Sequence, residues 1–374
     1  MMKRILFLIV AVMPMLGMAQ NAQRMKSPVI NEDNSVTFTL HAPKAIRVEV
    51  VGDFAGGRGE MKEGRNGEWT FTTQPLEPEL YSYNFIVDGM RITDPSSIYV
   101  KRDVTSFTSW FIITREKGDL GDLFSVNDVP HGTVSKVWYD SPTLKLHRRM
   151  TVYTPAGYES GKGRYPVLYL LHGAGNDEDG WTTLGRAAQI LDNLIAAHKV
   201  EPMIVVMPNG NANCEAAPGE SSAGQYTPQG RGNNGLDTPA AASIEESFPD
   251  VMKYVEENYR VKKGKQNRAI CGLSMGGGHS YEISQRYPDR FDYIGLYSAY
   301  IGQIRDLSKL FAQNPKLYWI SIGREDFLFK GNEDLRKYLD EHHFPYEYNE
   351  TDGGHSWRNW RKYLIIFTQR LFKG

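Results

Sequence analysis

Residues 269–280 read Ala-Ile-Cys-Gly-Leu-Ser-Met-Gly-Gly-Gly-His-Ser, a short apolar run followed by Gly272-Leu273-Ser274-Met275-Gly276 and then a helix-compatible segment. A sharp turn from strand to helix forces its central residue into strained backbone angles. Glycines two places on either side leave room for neighbouring chain to approach. The stretch therefore places Ser274 as an exposed nucleophile at the end of a strand, and the strand needs a sheet around it.

The surrounding pattern supplies that sheet. Strand-like runs occur at Lys136 to Tyr139 and Met150 to Tyr153. Continuous apolar runs follow at Val167 to Leu171, Met203 to Met207, Tyr293 to Tyr297 and Leu317 to Ile322. Between them lie helical stretches at Leu184 to Ala197, Ile244 to Asn258, Met275 to Arg286, Asn332 to His342 and Trp357 to Phe372. Strands alternating with helices, and apolar throughout, predict a mostly parallel sheet covered on both faces over residues 131–374. Asn209 to Ala242 is rich in Gly, Asn, Pro and Ala and lacks periodicity. It leaves the ligand-facing edge of a strand and is expected to be a loop facing the substrate.

A serine hydroxyl attacks only when a base takes its proton and a carboxylate holds that base in the right tautomer. Of nine histidines, His279 lies too soon after Ser274 to reach back, and His342-His343 end a helix. His355, after the flexible Gly353-Gly354 and before a helix, is the candidate base. Asp326, just past the apolar strand ending at Ile322, is the candidate acid; Glu325 beside it and Asp352, three residues before His355, are the rivals. The developing oxyanion needs donors. These are expected from the backbone N–H of Met275 and, in the loop His172-Gly173-Ala174-Gly175, from that of Ala174. His172 is expected to shape this loop. Trp181 and Tyr226 are placed where they could wall a planar acyl group. The chain has no His-Glu-x-x-His, and Gly276 to Gly278 lack the lysine of a phosphate loop, so neither metal nor other cofactor is implied.

From Ser35 to about Ile113, within a domain expected over residues 26–113, the periodicity is the other one. Val36, Phe38 and Leu40; Ile46, Val48 and Val50; Trp69 and Phe71; and Tyr81, Tyr83, Phe85 and Val87 alternate at a spacing of two. Turn signals separate them, including the type I′ hairpin pair Asp88-Gly89. This predicts a small immunoglobulin-like β-sandwich whose alternating aromatics are core. Residues 114–130, polar and containing Gly118, Gly121 and Pro130, are expected to be a linker.

With 374 residues, of which 41% are hydrophobic, there is ample material for packed cores. A formal net charge of −1 offers no nucleic-acid footprint. Cys214 and Cys271 are too few for a disulfide framework. Lys3-Arg4, the apolar stretch Ile5 to Met13, and the small residues Gly17 and Ala19 have the order of a secretory signal peptide spanning residues 1–19. The apolar run is shorter than the roughly 20 residues a spanning helix needs. The expectation is an exported, periplasmic or extracellular protein with no membrane attachment after cleavage and no lipidated cysteine.

His172-Gly173, Ser274-Met275-Gly276-Gly277, Gly323 to Asp326, Gly354-His355-Ser356-Trp357 and Trp360-Arg361 together resemble the esterase D-like α/β-hydrolases of carbohydrate esterase family 1. Val51-Gly52-Asp53-Phe54, Trp69, Tyr81 to Phe85, Val87-Asp88-Gly89 and Asp94-Pro95 resemble the early-set domains grouped with carbohydrate-binding module family 48. The first resemblance implies an α/β-hydrolase fold with Ser274, Asp326 and His355 as triad and Ala174 and Met275 as oxyanion donors. The pair is similar to exported esterases that trim feruloyl or acetyl groups from cell-wall xylan, which would make plant polysaccharide the partner. The same hydrolase family includes siderophore esterases. A glycan-binding protein with a disused hydrolase fold would be expected to lack a triad residue.

Overall fold

A computed structural model describes residues 25–222, 224–228 and 240–373, so the expected signal peptide lies outside the described residues. The amino-terminal part forms two antiparallel sheets. One pairs Val29–Ile30, Val36–His41, Glu68–Thr72 and Lys62–Glu63 in that spatial order. The other runs Arg58–Glu60, Val48–Gly52, Glu79–Val87, Ser106–Ile113 and Val100–Asp103, with Met90–Ile92 also pairing with Glu79–Val87. Phe38, Tyr83, Phe85 and Phe111 pack in tilted and edge-on contacts between the sheets as the core, where a period of two sends alternate side chains inward. Ile46 falls outside its expected strand and is exposed. Asp88 and Gly89 both have positive φ, as the hairpin turn requires.

The larger part is an eight-stranded sheet in the order Thr133–Ser141, Leu146–Thr154, Ile204–Pro208, Val167–Leu171, Arg268–Leu273, Tyr293–Tyr297, Leu317–Gly323, Glu347–Thr351. Its first two pairings are antiparallel, and from Ile204–Pro208 to the far edge all are parallel. Both faces are covered, which explains the unbroken apolar runs. Leu168 and Leu170 pack with Trp181, Leu191 and Tyr363 on one face, while Val167, Tyr169 and Leu171 pack with Phe248, Val255 and Tyr281 on the other. The edge strand Glu347–Thr351 escapes sequence reading because all five of its residues are half-buried and mostly polar. This is the α/β-hydrolase arrangement, preceded by an immunoglobulin-like β-sandwich.

The expected linker at 114–130 needs correction. It holds a helix, Leu120–Phe124, whose side chains Leu123 and Phe124 join Leu80 of the β-sandwich and Leu191 and Leu194 of the hydrolase part in one apolar core. Asp119 caps it, accepting the Asp122 N–H at 2.8 Å. Beside this core, the fully buried Arg361 donates to Glu79 Oε1 at 3.3 Å, Leu80 O at 3.1 Å and Leu184 O at 3.1 Å. Arg358 approaches Glu79 as well, at 3.3 Å. The two parts are joined by shared packing and a buried ion cluster rather than by a tether.

Among the described residues no helix is long and apolar enough to cross a membrane.

Candidate active site

The parallel strands end together on one edge: Leu171 pairs with Gly272, Leu273 with Tyr297 and Gly323 with Thr351. The loops that leave these ends carry the candidate side chains. Ser274 sits at φ 53° and ψ −115°, well outside ordinary non-glycine conformations. The turn is held by Ser274 N–H donating to Tyr297 O at 2.9 Å and by Ser274 O accepting from Tyr300 N–H at 2.9 Å. A Cβ on Gly272 would lie 2.5 Å from Gly276 O, and one on Gly276 would lie 2.5 Å from His172 O. Both glycines are therefore required by close backbone approach.

Asp326, 4% exposed, lies against His355, whose Nδ1 is 2.9 Å and 3.0 Å from the two carboxylate oxygens. The Leu328 N–H also donates to Asp326, at 2.9 Å. Glu325 is exposed, and Asp352 is an exposed partner of Arg324, so neither rival meets the imidazole. The His355 ring is flanked by Phe327 at 4.5 Å and edge-on by Trp360 at 4.8 Å. Such a held imidazole presents Nε2 as a base. His355 and Ser274 line the same cavity, of about 570 Å³, without a hydrogen bond between them. Ligand-free sites commonly show this looser geometry.

The N–H groups of Ala174 and Met275 donate to no carbonyl among the described residues, which leaves both free to meet an oxyanion. His172 fixes the first of these loops. Its Nδ1 bonds Gly173 O at 2.8 Å and its Nε2 accepts the Gly210 N–H at 2.7 Å, which sets the neutral tautomer. Burial pushes its pKa down to about 4, so the ring remains uncharged near neutral pH. His279, set aside above, pairs with Glu245 on the neighbouring helix.

Two expected substrate contacts do not line this cavity. Trp181 is 1% exposed, donates its indole N–H to Leu171 O at 2.9 Å and packs edge-on against Trp357 and Tyr297. It is core: from the short helix Gly180–Thr183 it joins the apolar cluster of Leu168, Leu170 and Leu191 on one face of the sheet. Tyr226 donates its hydroxyl to Ala216 O at 2.8 Å within its own loop. None of the described residues of 209–242 lines the cavity of Ser274. The start of that loop is packed instead, with Cys214 and Ala216 fully buried and Glu215 O accepting from Arg149 N–H.

The missed part of the site comes from the β-sandwich. Asp53, Lys101, Asp103 and Val104 line the same cavity as Ser274 and His355. No signal in the sequence links them to it, because only the docking of one domain on the other brings them there. Among the described residues no group of His, Cys, Asp or Glu side chains converges as a metal site.

Residues 141–371 match the sequence profile of the Esterase family, described as "Putative esterase", and residues 17–101 match Carbohydrate-binding module 48 (Isoamylase N-terminal domain). The chain is 31% identical over 361 residues to an endo-1,4-beta-xylanase/feruloyl esterase of Xylanibacter ruminicola, a match covering 92% of this chain and 46% of that protein. It spans about half the length of the curated relatives it matches first. Among solved structures, a ferulic acid esterase is similar at 27% identity and TM-score 0.53, covering 65% of this chain and 99% of that one. The enterobactin esterase of Shigella flexneri shares the fold over 91% of this chain and 94% of its own, at 19% identity and TM-score 0.61.

Proposed function

Because the chain belongs to the Esterase family, we propose that it is a serine carboxylic-ester hydrolase that removes feruloyl groups from cell-wall arabinoxylan. The carrying observation is the convergence of Ser274, His355 and the Asp326-bound imidazole geometry on one cavity. In this reading Ser274 Oγ attacks the ester carbonyl while His355 Nε2 takes its proton, and Asp326 steadies the imidazolium through Nδ1. The N–H groups of Ala174 and Met275 receive the oxyanion. The sugar alcohol leaves with the proton from His355. Water, activated by the same base, then releases the acid from Ser274.

The feruloyl choice is supported by the names of similar proteins: the Xylanibacter ruminicola relative is a xylanase/feruloyl esterase, and the solved structure at 27% identity is a ferulic acid esterase. A cavity of about 570 Å³ falls in the range that buries a ring-sized ligand, and an aromatic acyl group gains more from apolar burial than acetate does. Similarity to carbohydrate-binding module 48 supports polysaccharide as the partner of the β-sandwich. Export rests on the charged, apolar and small-residue order of residues 1–19. The intact mass of protein from secreting cells tests it, and retention of Met1 contradicts it. The substrate is tested by comparing kcat/KM on methyl ferulate, acetylated xylan and a catecholate siderophore ester. Preference for the first supports the reading, and preference for either of the others replaces it.

A further inference from the structure

Part of the cavity wall is built by a hairpin of the β-sandwich, Val100–Asp103 paired with Ser106–Ile113. This hairpin is fastened to the loop that carries Ala174. Arg102 forms an ion pair with Asp177, and Asp103 Oδ1 accepts from Asn176 Nδ2 at 3.1 Å. Val104 packs on Gly175, where an added Cβ would come within 2.6 Å of Val104 Cγ1. Lys101, cross-strand from Thr108, is thereby held in the wall of the cavity that Ser274 and His355 also line.

Lys101 is only 8% exposed. Yet its Nζ has no hydrogen bond and no carboxylate within 4.0 Å among the described residues. The two acids that share the cavity act on Lys101 by charge alone, without contact: Asp103 accepts from Asn176, and Asp53 from the Ser82 N–H at 2.6 Å. The Lys101 stem is buried while the ammonium is not sealed from solvent, and a partly desolvated ammonium with no direct partner gains a strong, directional contact when an acidic oxygen meets it. Burial, with the charge of Arg361 adding to it, pushes the pKa of Lys101 down to about 7, and an incoming acidic group would reverse that shift.

We propose that Lys101 is the recognition cation of this cavity, its Nζ taking an acidic oxygen of the ester substrate. The proposal rests on the ester-hydrolase reading. Two sources offer that oxygen: a phenol on the acyl group, or a carboxylate on the sugar. In either case the β-sandwich is part of the specificity pocket.

The test uses the full chain with Lys101→Met, which keeps the length of the stem and removes the charge, and Lys101→Arg, which restores it. Three substrate pairs are compared by the ratio of kcat/KM: methyl ferulate over methyl 3,4-dimethoxycinnamate, a feruloylated arabinoxylo-oligosaccharide with over without a glucuronate substituent, and 4-nitrophenyl hydrogen succinate over 4-nitrophenyl butyrate. Loss of a charge-assisted contact should lower the first or second ratio about ten- to a hundredfold in Lys101→Met, mainly through KM, with recovery in Lys101→Arg. A fall in the first ratio assigns the acyl phenol, and a fall in the second the sugar carboxylate. If no ratio moves, whether rates fall together or not at all, the proposal is overturned. The nitrophenyl pair separates it from the substrate reading. Wild-type protein that cleaves nitrophenyl esters but no hydroxycinnamate overturns the feruloyl reading, while that pair still reports on Lys101. Protein with no esterase activity overturns both.

Discussion

His355 Nδ1 lies between the two carboxylate oxygens of Asp326, at 3.0 Å and 2.9 Å, although the residues are 29 apart in the chain. A buried carboxylate in that position fixes which ring nitrogen carries the proton, and so which one is left to act as base. Substituting Asp326→Asn should therefore lower kcat on a simple aryl ester by about 10⁴-fold. Glu325→Gln and Asp352→Asn, both on exposed carboxylates, should stay within a few fold of wild type. Steady-state kinetics on the three variants decide the assignment.

Ser274→Ala should reduce ester hydrolysis by about 10⁴- to 10⁶-fold, since removing one member of a triad costs nearly as much as removing all. Its melting temperature should be no lower than that of wild type, because the substitution removes only the hydroxyl. A matched fall in stability and activity would instead point to a structural role.

The elbow was legible because its chemistry and its geometry impose the same local pattern: Gly272 and Gly276 are glycines where a Cβ would strike backbone. Asp326 and His355 were legible because each follows the end of a strand or a glycine turn. Trp181 was not, since an aromatic beside the oxyanion loop reads alike whether it faces a cavity or a core. Lys101 was silent for a deeper reason. Its place in the site depends on an ion pair between Arg102 and Asp177, 75 residues apart in the chain, and nothing local encodes that docking. The helix Leu120–Phe124 was missed because five residues carry too little periodicity to register.

Trp181→Ala should destabilise the protein by about 3 to 5 kcal/mol, the usual cost of deleting a fully buried large aromatic. The ratio of activity on ferulate to activity on acetyl esters should stay close to wild type. Denaturant unfolding and a two-substrate comparison separate these effects.

A chain starting near Asp128 should lose solubility. The cut removes Leu123, Phe124 and Leu80 from the shared core and leaves Arg361 without Glu79. In the full chain, Glu79→Ala should cost about 3 to 5 kcal/mol, because it leaves Arg361 as an uncompensated buried charge. Soluble yield and unfolding midpoints report both. A fully soluble, active truncation would show that the two parts fold independently.

Stability should fall as the pH drops from about 6.5 to about 4. His172 has its folded pKa lowered to about 4, below the unfolded value near 6.5, so the unfolded chain binds the proton first. Its contribution, on the order of 3 kcal/mol, is fully present above pH 6.5 and lost as the pH falls through 4. The melting temperature of His172→Gln should fall less over this window than that of wild type. An identical pH dependence would remove His172 as the cause.

Acylation of Ser274 is read most directly by mass spectrometry of the acid-quenched protein during turnover of methyl ferulate. A feruloyl adduct should appear on the peptide containing Ser274, accumulate and then decay, and be absent from Ser274→Ala. Turnover that persists in Ser274→Ala, or an adduct on any other residue, would contradict acylation of Ser274.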